Sequence, residues 1–159
     1  MINCTFENDE KASLRHVVVN LILLNDENKI LLVKRADHLL NGGKWSLVGG
    51  FLDRDENTKE ACRREVKEET GYESEINQLL RIADNPDRPK EDRQNVAFVY
   101  VAKALEKTGK MDAENSEMKW FGFDTLPDKD DFAFDHLENI KLFLEYQKQK
   151  IEIPVIGKI

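Results

Sequence analysis

The residues from Gly50 to Tyr72 read GFLDRDENTKEACRREVKEETGY. Asn57 is a preferred helix N-cap, and Glu60 stands three residues on, where its carboxylate can reach back to the cap's own N–H. Gly71 supplies the stop at the other end. The spacing predicts a helix over Asn57–Thr70. At about 100° per residue, Glu65, Glu68 and Glu69 fall within an arc of roughly 100°. Ala61 and Cys62 lie one turn earlier on the same side and are small enough to leave room above the acids. Val66 points away and can anchor the helix. Each like-charged pair at three or four residues' spacing costs a few tenths of a kcal/mol. Two arrangements offset that cost. One is a solvated face on which Lys59, Arg63, Arg64 and Lys67 balance the acids. The other is a site for a hard cation such as Mg²⁺, which takes oxygen ligands and keeps part of its shell for water and phosphate. The helix alone leaves both open.

Outward from this helix the chain alternates strands and loops. His16–Leu24 (HVVVNLILL) reads as a buried strand. The turn cluster Asn25–Asn28 separates it from a second strand, Lys29–Lys34, so a hairpin is expected. Asn41, Gly42 and Gly43 mark a loop before the short apolar run Trp45–Val48. Tyr72–Ile82 and Asn95–Ala104 are expected to be extended, with a loop over Asp84–Arg93 set by Pro86 and Pro89. Lys107–Glu117 reads as polar loop, Trp120–Phe123 as a short strand, and Asp135–Lys150 as a final helix with Leu137, Ile140 and Leu144 on one face. Strands interleaved with two helices make an α/β or α+β domain, and the 159 residues suit a single one.

Composition narrows the class. Asp and Glu number 31 against 24 Lys and Arg, a net charge of −7, which disfavours nucleic acid and anionic membrane as partners. Small phosphorylated ligands stay open, because a bound divalent cation reverses the local sign. The apolar run Val17–Leu24 is too short to span a bilayer, and Met1–Glu10 has no secretory pattern. Cys4 and Cys62 offer neither a disulfide framework nor a metal spacing, so a reducing cytoplasm is the expected compartment.

The surroundings of the helix decide between its two arrangements. Gly50 is followed after five residues by Glu56, then after seven by Arg64-Glu65-Val66, one other, Glu68-Glu69, one other, and Gly71-Tyr72. This pattern resembles the Nudix box, with Tyr72 where an aliphatic residue is usual. At about 7% usage per residue type, seven strict matches arise by chance on the order of once in a million such chains. The resemblance extends over most of the chain. It implies an α/β/α sandwich with a mixed β-sheet, and hydrolysis of a nucleoside diphosphate linked to another moiety. It further implies that Glu65, Glu68 and Glu69, with the Gly49 carbonyl, bind Mg²⁺ or Mn²⁺. Glu56 and Arg64 would hold one another and orient those carboxylates. The general base is Glu65 in some members and a loop glutamate in others. Glu114 and Glu117 lie in such a loop here, and Glu117 is the choice between them; either is equally well a plain exposed acid.

Substrate hints are finer. Gly49-Gly50-Phe51 and Phe134-Asp135-His136 resemble the ADP-ribose-directed branch, and Pro86 stands about where that branch places a proline. Val48 departs from the proline common before the two glycines, and Asp53 from a frequent glutamate. ADP-ribose or a similar nucleotide sugar is therefore the expected substrate. Arg88 and Arg93 are candidates to grip a phosphate or distal ribose, and Phe51 and Phe134 to stack on adenine; solvated charges and plain core are the competing readings. His16 and His38 read as structural, and His136 as a helix-start residue. A nucleoside triphosphate pyrophosphatase is the first rival. A non-catalytic ligand sensor is the second, disfavoured by the intact acids and by the nine residues that follow Lys150. A homodimer is expected by resemblance only.

Overall fold

A computed structural model of the chain describes residues 2–87, 94–149 and 151–157. It opens with a hairpin that no apolar run announced: β1 (Ile2–Thr5) pairs antiparallel with β2 (Lys11–Leu14) as a separate two-stranded sheet. The main sheet is built on β3 (Val17–Leu24), whose side chains are buried on both faces. Its neighbours are β4 (Ile30–Arg35), β5 (Trp45–Ser46), β6 (Tyr72–Ala83), β7 (Val96–Lys107), β8 (Asn115–Phe121) and β9 (Val155–Ile156). Among the described residues the order is β5-β4-β3-β7-β6-β9, with β8 on β4. β3 and β7 run parallel, from Val17 opposite Val96 to Leu24 opposite Lys103, whereas β6 is antiparallel to β7; the sheet is mixed.

A strand alternates its side chains between the two faces of a sheet, so β3 feeds two cores. Val19, Leu21 and Leu23 meet Ala61, Cys62 and Val66 of α1 (Thr58–Thr70) on one face. Ile22 joins Leu80, Val99, Ile140 and Phe143 on the other, under α2 (His136–Lys148). This is an α/β/α sandwich. Its β-branched strands and two apolar helix faces leave no other way to bury both sides of the sheet.

Two expectations are corrected. The hairpin of β3 with β4 is reduced to one pair, Leu24 with Ile30. The rest of that edge of β3 is occupied by residues 48–52: the Val19 and Leu21 amides donate to the Gly50 and Val48 carbonyls at 2.9 Å each, and Leu52 donates back to Val17 at 3.0 Å. β4 pairs along its length with β8 instead. Second, Lys107–Glu117 is not all loop. β7 runs on past the end of β3 to Lys107, where only β6 flanks it, and β8 begins at Asn115 and ends at Phe121; a strand flanked on one side tolerates the polar residues that made this stretch read as loop. The loop expected over Asp84–Arg93 is described only as far as Asp87.

Candidate active site

The segment 48–52 that displaces the hairpin lies beside α1 and delivers its backbone to the acids. α1 starts as the spacing predicts: Asn57 Oδ1 accepts from the Lys59 and Glu60 amides at 3.1 Å each, and Glu60 Oε2 accepts from the Asn57 amide at 2.8 Å. Gly71 ends it in the left-handed conformation, φ 76°. One face of the helix then enters the core through Ala61, Cys62 and Val66, and this rotation carries Glu65 and Glu69 inward with them. Glu65 is 9% exposed and Glu69 5%, while Glu68 stays at the surface.

These carboxylates line a cleft of about 340 Å³ together with Gly49, Gly50 and Phe51. Burial lifts the Glu69 carboxyl well above its ordinary range, the Glu65 charge adds to the effect, and the Gly49 amide, donating to Glu69 Oε2 at 3.1 Å, opposes it. Glu65 is raised by burial as well; Arg64 opposes the rise, and the charges of Glu68 and Glu114 add to it. Gly50 is required by contact: a Cβ there would stand 2.4 Å from Glu65 Oε1.

Arg64 is the hub of the acids. Its Nη2 and Nε hold the two oxygens of Glu56 at 2.6 and 3.0 Å, and Nη2 also donates to the Phe51 carbonyl at 2.9 Å. Its Nη1 reaches Glu65 at 2.8 Å and Glu68 at 3.1 Å. The forked guanidinium thus fixes the loop before the helix and two acids on it at once. Glu56 in turn accepts from the Asp53 amide at 2.9 Å.

Among the described residues no three side chains of His, Cys, Asp or Glu converge at metal-binding distance. The donors nonetheless suit a hard divalent ion. They are carboxylate oxygens in a cleft that Gly49 also lines, two of the carboxylates are groups whose charge burial disfavours, and the missing side chain of Gly50 lets the Glu65 carboxylate lie against the backbone.

The structure places the two candidate loop acids differently. Glu117 lies on β8 opposite Lys34, their charged groups 3.9 Å apart, half exposed and off the cleft. Glu114, one residue before β8, lines the cleft with Asp112. Phe51 and Phe134 both line it; Phe51 is 41% exposed and packs its ring 5.1 Å from that of His16. Arg88 and Arg93 lie outside the described residues.

Sequence reasoning missed Arg35 and Asn20. Arg35 ends β4, donates from Nε to the Leu40 carbonyl at 2.8 Å, and sets its guanidinium 5.4 Å from the centre of the Phe134 ring. Phe134 itself adopts φ 52°, which a bulky side chain rarely does. His136 does begin α2, but it also lines the cleft, and its Nδ1 accepts the Leu47 amide at 3.0 Å, so a neutral ring carries its proton on Nε2. Neither an arginine closing a strand nor an asparagine inside one carries a local signal; only the folded register brings them to the cleft.

The family model for the NUDIX domain matches residues 14–143. The ADP-ribose pyrophosphatase of Methanocaldococcus jannaschii is 31% identical over 125 residues, 79% of this chain and 71% of that protein. The 8-oxo-dGDP phosphatase of Homo sapiens is 31% identical over 136 residues, 83% of this chain but 40% of its own. A crystal structure of a NUDIX hydrolase from Nitrosomonas europaea superposes with a TM-score of 0.79 at 26% identity, covering 99% of this chain and 93% of the other.

Proposed function

Because the chain belongs to the Nudix family of hydrolases, which act on phosphorus-containing anhydrides, we propose that it hydrolyses ADP-ribose or a similar nucleotide sugar to AMP and a sugar phosphate. The observation that carries the reaction class is the buried pair Glu65 and Glu69 facing the Gly49–Phe51 backbone in one cleft. The substrate reading is supported by the likeness to the archaeal ADP-ribose pyrophosphatase and by Phe51 and Phe134 at the cleft wall.

Glu65, Glu68, Glu69 and the Gly49 carbonyl would hold divalent metal, with Mg²⁺ the ion that best fits an all-oxygen donor set. Bound there, the metal supplies charge neutralisation for the pyrophosphate and a lowered pKa for water. Arg64, anchored by Glu56, keeps Glu65 and Glu68 in place before substrate arrives. Glu114 takes the proton of the attacking water, which bonds to phosphorus as the anhydride P–O bond breaks and the sugar phosphate or AMP departs. Arg35 grips an anionic or hydroxyl group of the substrate away from the acids, with Arg88 and Arg93 as further candidates. The nucleobase stacks on Phe51 or Phe134.

The deciding experiment is a Mg²⁺-dependent screen of ADP-ribose, other nucleotide sugars and nucleoside triphosphates, with products resolved by chromatography and Glu69→Gln as control. The proposal expects AMP from ADP-ribose and none from the control. Pyrophosphate from a triphosphate would keep the hydrolase and overturn the substrate. The likeness to the human 8-oxo-dGDP phosphatase favours oxidised guanine nucleotides as the panel's first alternative.

A further inference from the structure

We infer that Gly109 is a positioning residue for the hydrolysis: packed back to back against Gly71, it seats the loop that carries Asp112 and Glu114 on the end of α1. It thereby sets where Glu114 stands relative to Glu65 and Glu69. The inference rests on Glu114 as the proton acceptor proposed above.

The contact between the two glycines leaves no room for a side chain on Gly71 and little for one on Gly109. A Cβ on Gly71 would lie 2.3 Å from the Gly109 carbonyl oxygen, and one on Gly109 would lie 3.3 Å from the Gly71 Cα. Gly71 also needs its left-handed φ of 76°, so two requirements coincide there. Gly109 differs. Its φ is not positive, so no left-handed backbone calls for glycine there, and a side chain is opposed by close approach alone: a Cβ fits only if the Gly71 backbone gives by a few tenths of an ångström.

That approach joins loop and helix through backbone. A helix ends with carbonyls that lack intrahelical partners. The Gly71 carbonyl receives the Thr108 and Gly109 amides at 2.9 Å each, and the Glu68 carbonyl receives the Asp112 amide at 3.1 Å. The Lys67 ammonium adds a tie to Thr108 Oγ1 and Glu73. From Asp112 the linkage continues: its Oδ1 accepts the Glu114 amide at 3.0 Å, and the Glu114 carbonyl accepts the Ala36 amide at 2.9 Å. The amides that satisfy the helix end are thus within a few residues of the acids that enter the cleft. A shift at Gly109 is passed along this chain of hydrogen bonds to Glu114.

The test compares Gly109→Val, Glu114→Gln and the double variant on ADP-ribose, or on whichever substrate the panel returns. Gly109→Val is expected to lower kcat roughly tenfold or more, as misplacement of a reacting group does, with KM within about twofold of the parent. In the Glu114→Gln background the same change is expected to cost nothing further. Thermal unfolding controls for misfolding, and Gly109→Ala, which needs only a few tenths of an ångström of give, carries the same comparison if the valine variant does not fold. Full kcat in Gly109→Val, a rise confined to KM, or losses that multiply in the double variant would each overturn the inference while leaving Glu114 in its role. Wild-type turnover by Glu114→Gln alone would instead remove the proton acceptor, and this inference with it.

Discussion

Arg64 concentrates much of the site's chemistry in one side chain. Its fork holds Glu56 through both carboxylate oxygens, and this hydrogen bonding is the main reason the Glu56 carboxyl lies below its ordinary value, with partial burial opposing. A carboxylate with a depressed folded-state pKa contributes stability that is complete above the unfolded value and lost as pH falls through the depressed one. The acid limb of the stability curve should therefore flatten in Glu56→Gln, as read by denaturant melts at stepped pH below the ordinary carboxylate range. The same variant should weaken metal binding about 10–100-fold by titration calorimetry, because Glu65 and Glu68 lose their oriented partner. Cys62 offers a second prediction at this scale. Burial in the core pushes its thiol up to about 12, so iodoacetamide at pH 8 should label Cys4 in the native protein and reach Cys62 only after denaturation, as read by mass spectrometry.

The helix α1 is the element in which sequence and structure agree most closely. Its cap, its reciprocal Glu60 contact and its glycine stop depend on residues three or four apart, which is why spacing alone found them. Asn57→Ala should cost about 1 kcal/mol through loss of the cap. In a chain of this size that is a fall of roughly 2–4 °C in the melting temperature, readable by calorimetry. β8 shows the opposite case. Sequence marked only its end, within Trp120–Phe123, because the residues before it alternate too weakly, and the pairing with β4 that creates the rest joins positions 80 or more apart, such as Lys34 with Glu117. That pairing is also what turns Glu117 to an exposed ion pair and leaves Glu114 at the cleft. Sequence left Glu114 and Glu117 as candidates for the loop acid; strand register puts Glu114 at the cleft and Glu117 off it.

Across the whole molecule, a buried arginine ties the far helix to the sheet. Arg81 of β6 is 3% exposed; it donates to Asn139 at 2.7 Å and to the Gly157 carbonyl at 3.1 Å, and lies 3.5 Å from the Asp135 carboxylate. Asp135 stands between Phe134 and His136, so the same network holds the cleft wall opposite α1. Arg81→Met should destabilise the fold by about 3–5 kcal/mol in urea melts, because a buried carboxylate loses a cation and Asn139 a donor. No local pattern marks Arg81 as buried, since its partners come from α2 and from the chain's end. The sequence by itself determined what depends on near neighbours: the three acids on one helix face, the helix caps, the two-faced strand β3 and the family. Tertiary structure alone decided that residues 48–52 take the edge of β3, that Arg35 and His136 join the cleft, and that Glu114 enters it. Those placements follow from pairing between distant segments, where the winner is the strand that best satisfies backbone donors and buries both faces of the sheet, a competition that only the folded chain resolves.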